Sequence, residues 1–168
     1  MNLTAKSRYA LKIMMDLAVH EEEGHQQRAK MAARQAVPLE FMDQVLSRLR
    51  EHGLVVSFRG RNGGVALSRT PAEINLWDIF VAVEDRFFPV LCVQDNHLCR
   101  GEAQCISSEA WTDVYAELQG VLKGKTLKAL VAKWEGRRPP IGTEMKNPPI
   151  CRGSQAGRRN EAEPALSS

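Results

Sequence analysis

The segment LEFMDQVLSRLREHG, residues 39–53, runs straight into LVVSFRGRNGGVALS, and this pair constrains the fold more than any other stretch of the 168-residue chain. In the first half, Leu39, Met42, Val45, Leu46 and Leu49 recur at helical spacing and predict one buried stripe. Gly53 supplies a helix stop. Glu40, Phe41, Asp43, Gln44, Ser47, Arg48 and Arg50 fall on the other faces. In the second half, two short apolar runs bracket Arg59-Gly60-Arg61-Asn62-Gly63-Gly64. Asn-Gly is the pair that a two-residue hairpin turn requires, because both central positions need positive φ. An amphipathic helix followed at once by a hairpin is therefore expected.

What precedes it completes a pattern. Tyr9 to His20 carries Ala10, Leu11, Met14, Leu17 and Ala18 at helical spacing, with Thr4 or Ser7 as cap and Gly24 as terminator. HQQRAKMAARQAV is rich in helix formers, with Ala29, Ala32, Ala33 and Ala36 as small packing residues. Val37-Pro38 ends that helix, since the residue before proline is pushed out of the helical region. Helix, short helix, turn, helix and hairpin is the order of a winged helix-turn-helix. Its second helix is narrow enough for the major groove of duplex DNA, and its hairpin would bring Arg59 and Arg61 to phosphates or the minor groove. Gly60, Gly63 and Gly64 would permit close backbone approach there. The fold class is read as mainly α with a small β-hairpin wing, a winged helix-turn-helix plus a long dimerisation helix.

Charge divides along the same lines. Residues 1–70 hold eleven Lys/Arg against seven Asp/Glu, a balance of +4, whereas residues 71–135 hold six against ten, a balance of −4. Only the first part is suited to face a polyanion. The chain is read as a DNA-binding domain over 1–70, a cysteine-bearing loop with a dimerisation helix over 71–135, and a tail over 136–168. The tail has five prolines and four glycines with no apolar period, and is expected to be disordered. No run of eighteen apolar residues occurs, and the charged N-terminal segment lacks a signal-peptide ending, so no membrane association and a cytoplasmic setting are expected.

In the middle part, Ile74, Leu76, Ile79, Phe80 and Val83 predict a helix that packs in the core. Trp111, Val114, Leu118, Val121 and Leu122 approximate a heptad seam, which favours a homodimer. Gly124 interrupts it, and Thr126 is expected to cap a last helix through Trp134. Between these helices Cys92, Cys99 and Cys105 stand in the spacing Cys-x6-Cys-x5-Cys, within polar, irregular sequence. A reducing cytoplasm disfavours a structural disulfide. No Cys-x2-Cys pair occurs, so the zinc-ribbon signature is absent. A loop of this kind can wrap its thiolates around one centre, as iron–sulfur clusters are held; a thiol-redox pair or three separate buried cysteines remain open.

MNLTAKSRYALKIMMDLA, then QVLSRLREHGLVVSFRGRNGGVALS, then three spaced cysteines before a helix opening at a tryptophan together resemble the IscR family of regulators, with its NsrR and RirA relatives. The resemblance covers residues 1–134. It implies a dimeric winged-helix transcription regulator whose three loop cysteines bind an iron–sulfur cluster, of the 2Fe-2S type, and whose cluster state alters DNA binding. Cys92, Cys99 and Cys105 would be the ligands. Glu40, Phe41, Asp43 and Gln44 would read bases of a double-stranded operator, and Arg59 and Gly60 would enter the minor groove. Arg48 and Arg61 join the candidate DNA contacts. The fourth ligand does not carry over. The family's histidine position is Ser108 here, and the NsrR-type aspartate position is Arg8, which leaves Ser108 and the neighbouring Glu109 as candidates, with Asp95 and His97 inside the loop.

Two other classes compete. A thiol-redox or nitric oxide responsive winged-helix repressor would need no stable cluster. An electron carrier would need no helix-turn-helix. An enzyme is not expected: no Ser/His/Asp or paired-carboxylate arrangement is visible, and Gly60 to Gly64 lacks the lysine of a phosphate loop.

Overall fold

The computed structural model describes residues 3–60, 63–85, 87 and 107–136. The first helix, α1, spans Ala5–Val19, a full turn earlier than the apolar period alone indicates. Thr4 is its cap, its Oγ1 accepting from the Lys6 amide at 3.1 Å. Ser7 lies inside the helix instead and is buried. Ala10, Ile13, Met14 and Leu17 point inward and are essentially solvent-free.

A 3-10 turn at Glu21–Glu23 and Gly24 lead to Gln26, which pairs with the hairpin and so cannot be helical. For this reason α2 is confined to Arg28–Gln35, shorter than the helix formers suggest. Met31 is its buried residue. Ala36 then adopts a left-handed φ of 50°, and Val37 donates back to the Ala32 carbonyl at 3.0 Å, turning the chain sharply before Pro38.

Helix α3, Leu39–Glu51, buries Met42, Val45, Leu46 and Leu49 as its spacing predicts. Leu39 departs from that stripe. It occupies the first position, beyond the end of the packed surface, and is 48% exposed. Gly53, at φ 65°, lets the chain reverse after the helix. Strands β1 (Val55–Phe58) and β2 (Gly64–Leu67) form the antiparallel hairpin. Their register pairs Phe58 with Gly64, so the connection is five residues long rather than a two-residue Asn-Gly turn. Gly60, at φ 109°, takes the left-handed position in that connection. Gly63 donates to the Gly60 carbonyl at 3.0 Å, and a side chain on Gly63 would collide with the Phe58 carbonyl oxygen.

Helix α4 (Leu76–Val83) is capped by Asn75, and Ile79, Phe80, Ala82 and Val83 complete the core formed by α1 and α3. Helix α5 spans Ser108–Lys123, and α6 spans Leu127–Glu135 with Thr126 as cap. The α5–α6 joint is stitched to the start of α4 by Leu127 N–H to the Ile74 carbonyl (2.8 Å) and Leu76 N–H to the Lys125 carbonyl (3.0 Å). One hydrophobic core thus runs from Ala10 to Leu127. Among the described residues, no helix is long and apolar enough to cross a membrane.

Candidate nucleic-acid interface

The wing is fixed by the linker between α1 and α2. Gln26 N–H donates to the Val65 carbonyl (2.8 Å), and Val65 N–H donates to the Gln26 carbonyl (2.9 Å). The His25 ring stacks on Phe58 at 5.0 Å. These contacts hold the hairpin beside α3, with exposed Arg59 at the end of β1.

Helix α3 presents two flanks. The one toward the wing borders a cleft of about 580 Å³ lined by Arg28, Asp43, Ser47, Arg50, Arg59 and Gly60. Arg28 Nη1 donates to Asp43 Oδ1 at 2.6 Å, so this candidate base reader is paired within the molecule. Arg28 had no signature in the sequence, because only the tertiary turn between α2 and α3 brings it to the cleft. The opposite flank carries Phe41, Gln44, Arg48 and Glu51, with Lys6 of α1 beside them. Phe41 is half-buried and packs edge-on against Tyr9 at 5.0 Å, whose ring also carries the Arg8 guanidinium at 5.1 Å. Glu40 and Gln44 are exposed. Arg61 lies outside the described residues.

The end of α4 reaches this same flank. The Glu84 carboxylate accepts from Thr4 N–H (2.9 Å), Thr4 Oγ1 (2.8 Å) and Ser7 Oγ (2.5 Å) at the start of α1. Partial burial pushes its pKa up, but the hydrogen bonds from Ser7 and Thr4 outweigh that and hold it below the usual range. Asp85 accepts from Lys6 Nζ (3.2 Å) and Arg48 Nη2 (2.9 Å). The Lys6 hydrogen bond, then the charges of Lys6 and Arg48, keep its carboxyl below the usual aspartate range. Neither carboxylate was identifiable as part of this face from sequence.

Cys92, Cys99 and Cys105, with Asp95 and His97, lie outside the described residues. Ser108 and Glu109 open α5; the Ser108 carbonyl accepts from Thr112 Oγ1 (2.9 Å), and Glu109 is exposed. Among the described residues, no group of three His, Cys, Asp or Glu side chains could hold a metal ion. Helix α5 buries none of its residues fully. Leu122 packs on the core, and Tyr115 meets Trp77 at 5.5 Å, whereas Trp111, Val114 and Val121 are 39%, 51% and 60% exposed. Most of the predicted seam is thus an apolar stripe facing solvent.

Residues 3–133 match the Rrf2 family model, described as an iron-dependent transcriptional regulator. The chain belongs to the Rrf2 family. Rrf2 proteins are transcriptional regulators rather than enzymes. The HTH-type transcriptional regulator IscR of Serratia proteamaculans (strain 568) is 37% identical over 131 residues, covering 78% of this chain and 79% of the relative. Two solved structures share the fold. CymR, the global cysteine regulator of B. subtilis, is 29% identical with a TM-score of 0.66, covering 79% of this chain and 98% of that one. The T. potens IscR is 27% identical with a TM-score of 0.63, covering 84% and 94%. Among the described residues, this Rrf2 chain is mostly α with one two-stranded antiparallel sheet, as its residue pattern predicts.

Proposed function

We propose that this Rrf2-family chain is a cytoplasmic, homodimeric regulator that binds double-stranded operator DNA and senses iron–sulfur cluster status, controlling genes of iron–sulfur assembly or iron homeostasis. The observation that carries the proposal is that one chain joins a basic winged-helix face to three thiols placed between α4 and α5. Three thiols are the soft donor set that iron–sulfur clusters require, and Ser108 or Glu109 at the start of α5 offers an oxygen donor for the remaining position. Cys92, Cys99 and Cys105 would hold the cluster, of the 2Fe-2S type, and it would supply iron- and redox-responsive chemistry there.

The chain's own residues do the rest. Arg59, Gly60 and Arg61 meet the backbone and minor groove from the wing. Glu40, Phe41, Asp43 and Gln44 line the first turns of α3 and read base edges, with Arg48 one turn further on. The stripe of Trp111, Val114 and Val121 buries against a second copy, which pairs two reading heads on two half-sites. The domain limits at residues 70 and 135 belong to the same reading.

Two expected results test it. Purified without oxygen, the wild type is brown, with iron and sulfide stoichiometric with chain; Cys99→Ala removes both the colour and the sulfide. A colourless wild type after anaerobic reconstitution would favour a second reading, a thiol-redox or nitric oxide responsive repressor without a stable cluster. The likeness to CymR, the global cysteine regulator of B. subtilis, supports that alternative. For the DNA face, Arg59→Ala weakens binding to all duplex sequences alike and lowers the slope of log K against log salt by about one. An unchanged salt slope in fluorescence titrations would remove Arg59 from the backbone contacts.

A further inference from the structure

A helix lying in the major groove, roughly 12 Å wide, is flanked by a phosphate strand on each side. The wing side of α3 has cations for one strand, Arg28, Arg50 and Arg59. On the other side stand Lys6, from the first turn of α1, and Arg48 of α3, beside exposed Gln44. One carboxylate bridges these two cations: Asp85 Oδ2 lies 3.2 Å from Lys6 Nζ and its Oδ1 lies 2.9 Å from Arg48 Nη2. Glu51 also lies near Arg48, at 3.9 Å. The bridge is not core structure, since the side chains of Lys6, Arg48 and Asp85 are 40%, 48% and 64% exposed. Exposed ion pairs of this kind are weak and exchangeable. Glu84, bound to Thr4 and Ser7, holds the backbone next to it and so presents Asp85 to the two cations.

We propose that Lys6 and Arg48 form a seat for a DNA backbone phosphate on the flank of α3 away from the wing, with the Asp85 carboxylate as its internal stand-in. Two oxygens shared between an ammonium and a guanidinium is the arrangement a phosphate would adopt there. Duplex DNA displaces Asp85, and the free chain keeps both cations neutralised, which restrains non-specific binding. The seat rests on the reading of this face as a DNA interface.

The test uses the full chain and a fluorescein-labelled random-sequence duplex, titrated over a range of salt, so that no operator need be known. Losing one phosphate contact flattens the salt slope by about 0.9 and weakens binding roughly eightfold near 0.1 M salt. Lys6→Ala/Arg48→Ala is expected to show this loss, and Asp85→Asn to strengthen binding severalfold with the slope little changed, because the duplex no longer has to break the bridge. Adding Asp85→Asn to the double variant is expected to do nothing further. An Asp85→Asn chain with wild-type affinity would overturn the seat. So would an equal gain in the double variant, which would mark a general effect of net charge. A wild type with no salt-dependent duplex binding would instead overturn the DNA-binding reading, and the seat with it. Thermal unfolding of each variant, expected to stay close to wild type because the site is exposed, keeps the comparison on folded protein.

Discussion

Replacing Arg34 by alanine is expected to lower folding stability by about 3 kcal/mol, the low end of the cost of stranding a buried charge. Asp16 sits in the last turn of α1 with only 1% of its side chain exposed. Arg34 of α2 grips it with two parallel bonds, Nε to Oδ1 at 3.1 Å and Nη2 to Oδ2 at 2.6 Å. Gln35 adds Nε2 to Oδ1 at 2.9 Å, while the nearby His20 ring spends Nδ1 on the Asp16 backbone carbonyl at 2.8 Å. Without Arg34 the carboxylate keeps the Gln35 bond but loses its charge partner. Because 32% of the Arg34 side chain is exposed, water reaches the vacated position and limits the loss. The arginine also donates to Gln26 Oε1 at 3.0 Å, so it braces the linker that holds the wing. Urea unfolding would show the midpoint falling with the m-value unchanged. Pairing the change with Asp16→Asn should recover part of the loss, since the stranded charge is gone. A loss below about 1 kcal/mol would mean that Arg34 behaves as an ordinary surface partner.

The second large effect is at Gly64, where alanine is expected to cost about 1–3 kcal/mol through overpacking. A Cβ there would lie 2.6 Å from the Gln26 carbonyl oxygen and 2.8 Å from its carbonyl carbon, both backbone atoms held in the pairing with Val65. Alanine in place of glycine within a strand ordinarily gains roughly 0.5–1 kcal/mol from the unfolded chain. The clash outweighs that gain because neither strand nor linker can move without breaking the two Gln26–Val65 hydrogen bonds. Amide exchange at Gln26 and Val65 should therefore accelerate together with the fall in unfolding midpoint. Valine should be worse than alanine. Slow exchange at both amides in the alanine variant would show that the wing is anchored by something other than this bridge.

Helix positions, caps and burial were legible wherever a local rule acts alone. The stripe Met42, Val45, Leu46 and Leu49 and the caps Thr4 and Thr126 follow from spacing and side-chain chemistry within a few residues. Local rules fail where a distant segment changes a local preference. Asn62-Gly63 reads as a tight turn, but the Phe58–Gly64 register and the Gln26–Val65 bridge leave five residues to close the hairpin. Leu39 fits the helical stripe in sequence yet has no surface opposite it and stays exposed.

By itself the sequence determined the winged-helix order, the basic first part, the three clustered thiols and the apolar stripe on α5, because each is a matter of periodicity, composition or spacing along one stretch of chain. The tertiary structure alone decided which charges meet. Asp85 and Lys6 are 79 positions apart, Asp85 and Arg48 are 37 apart, and Arg28 and Asp43 are 15 apart. No periodic signal marks such pairs, since an ion pair needs only that the packed helices bring two exposed ends within about 4 Å.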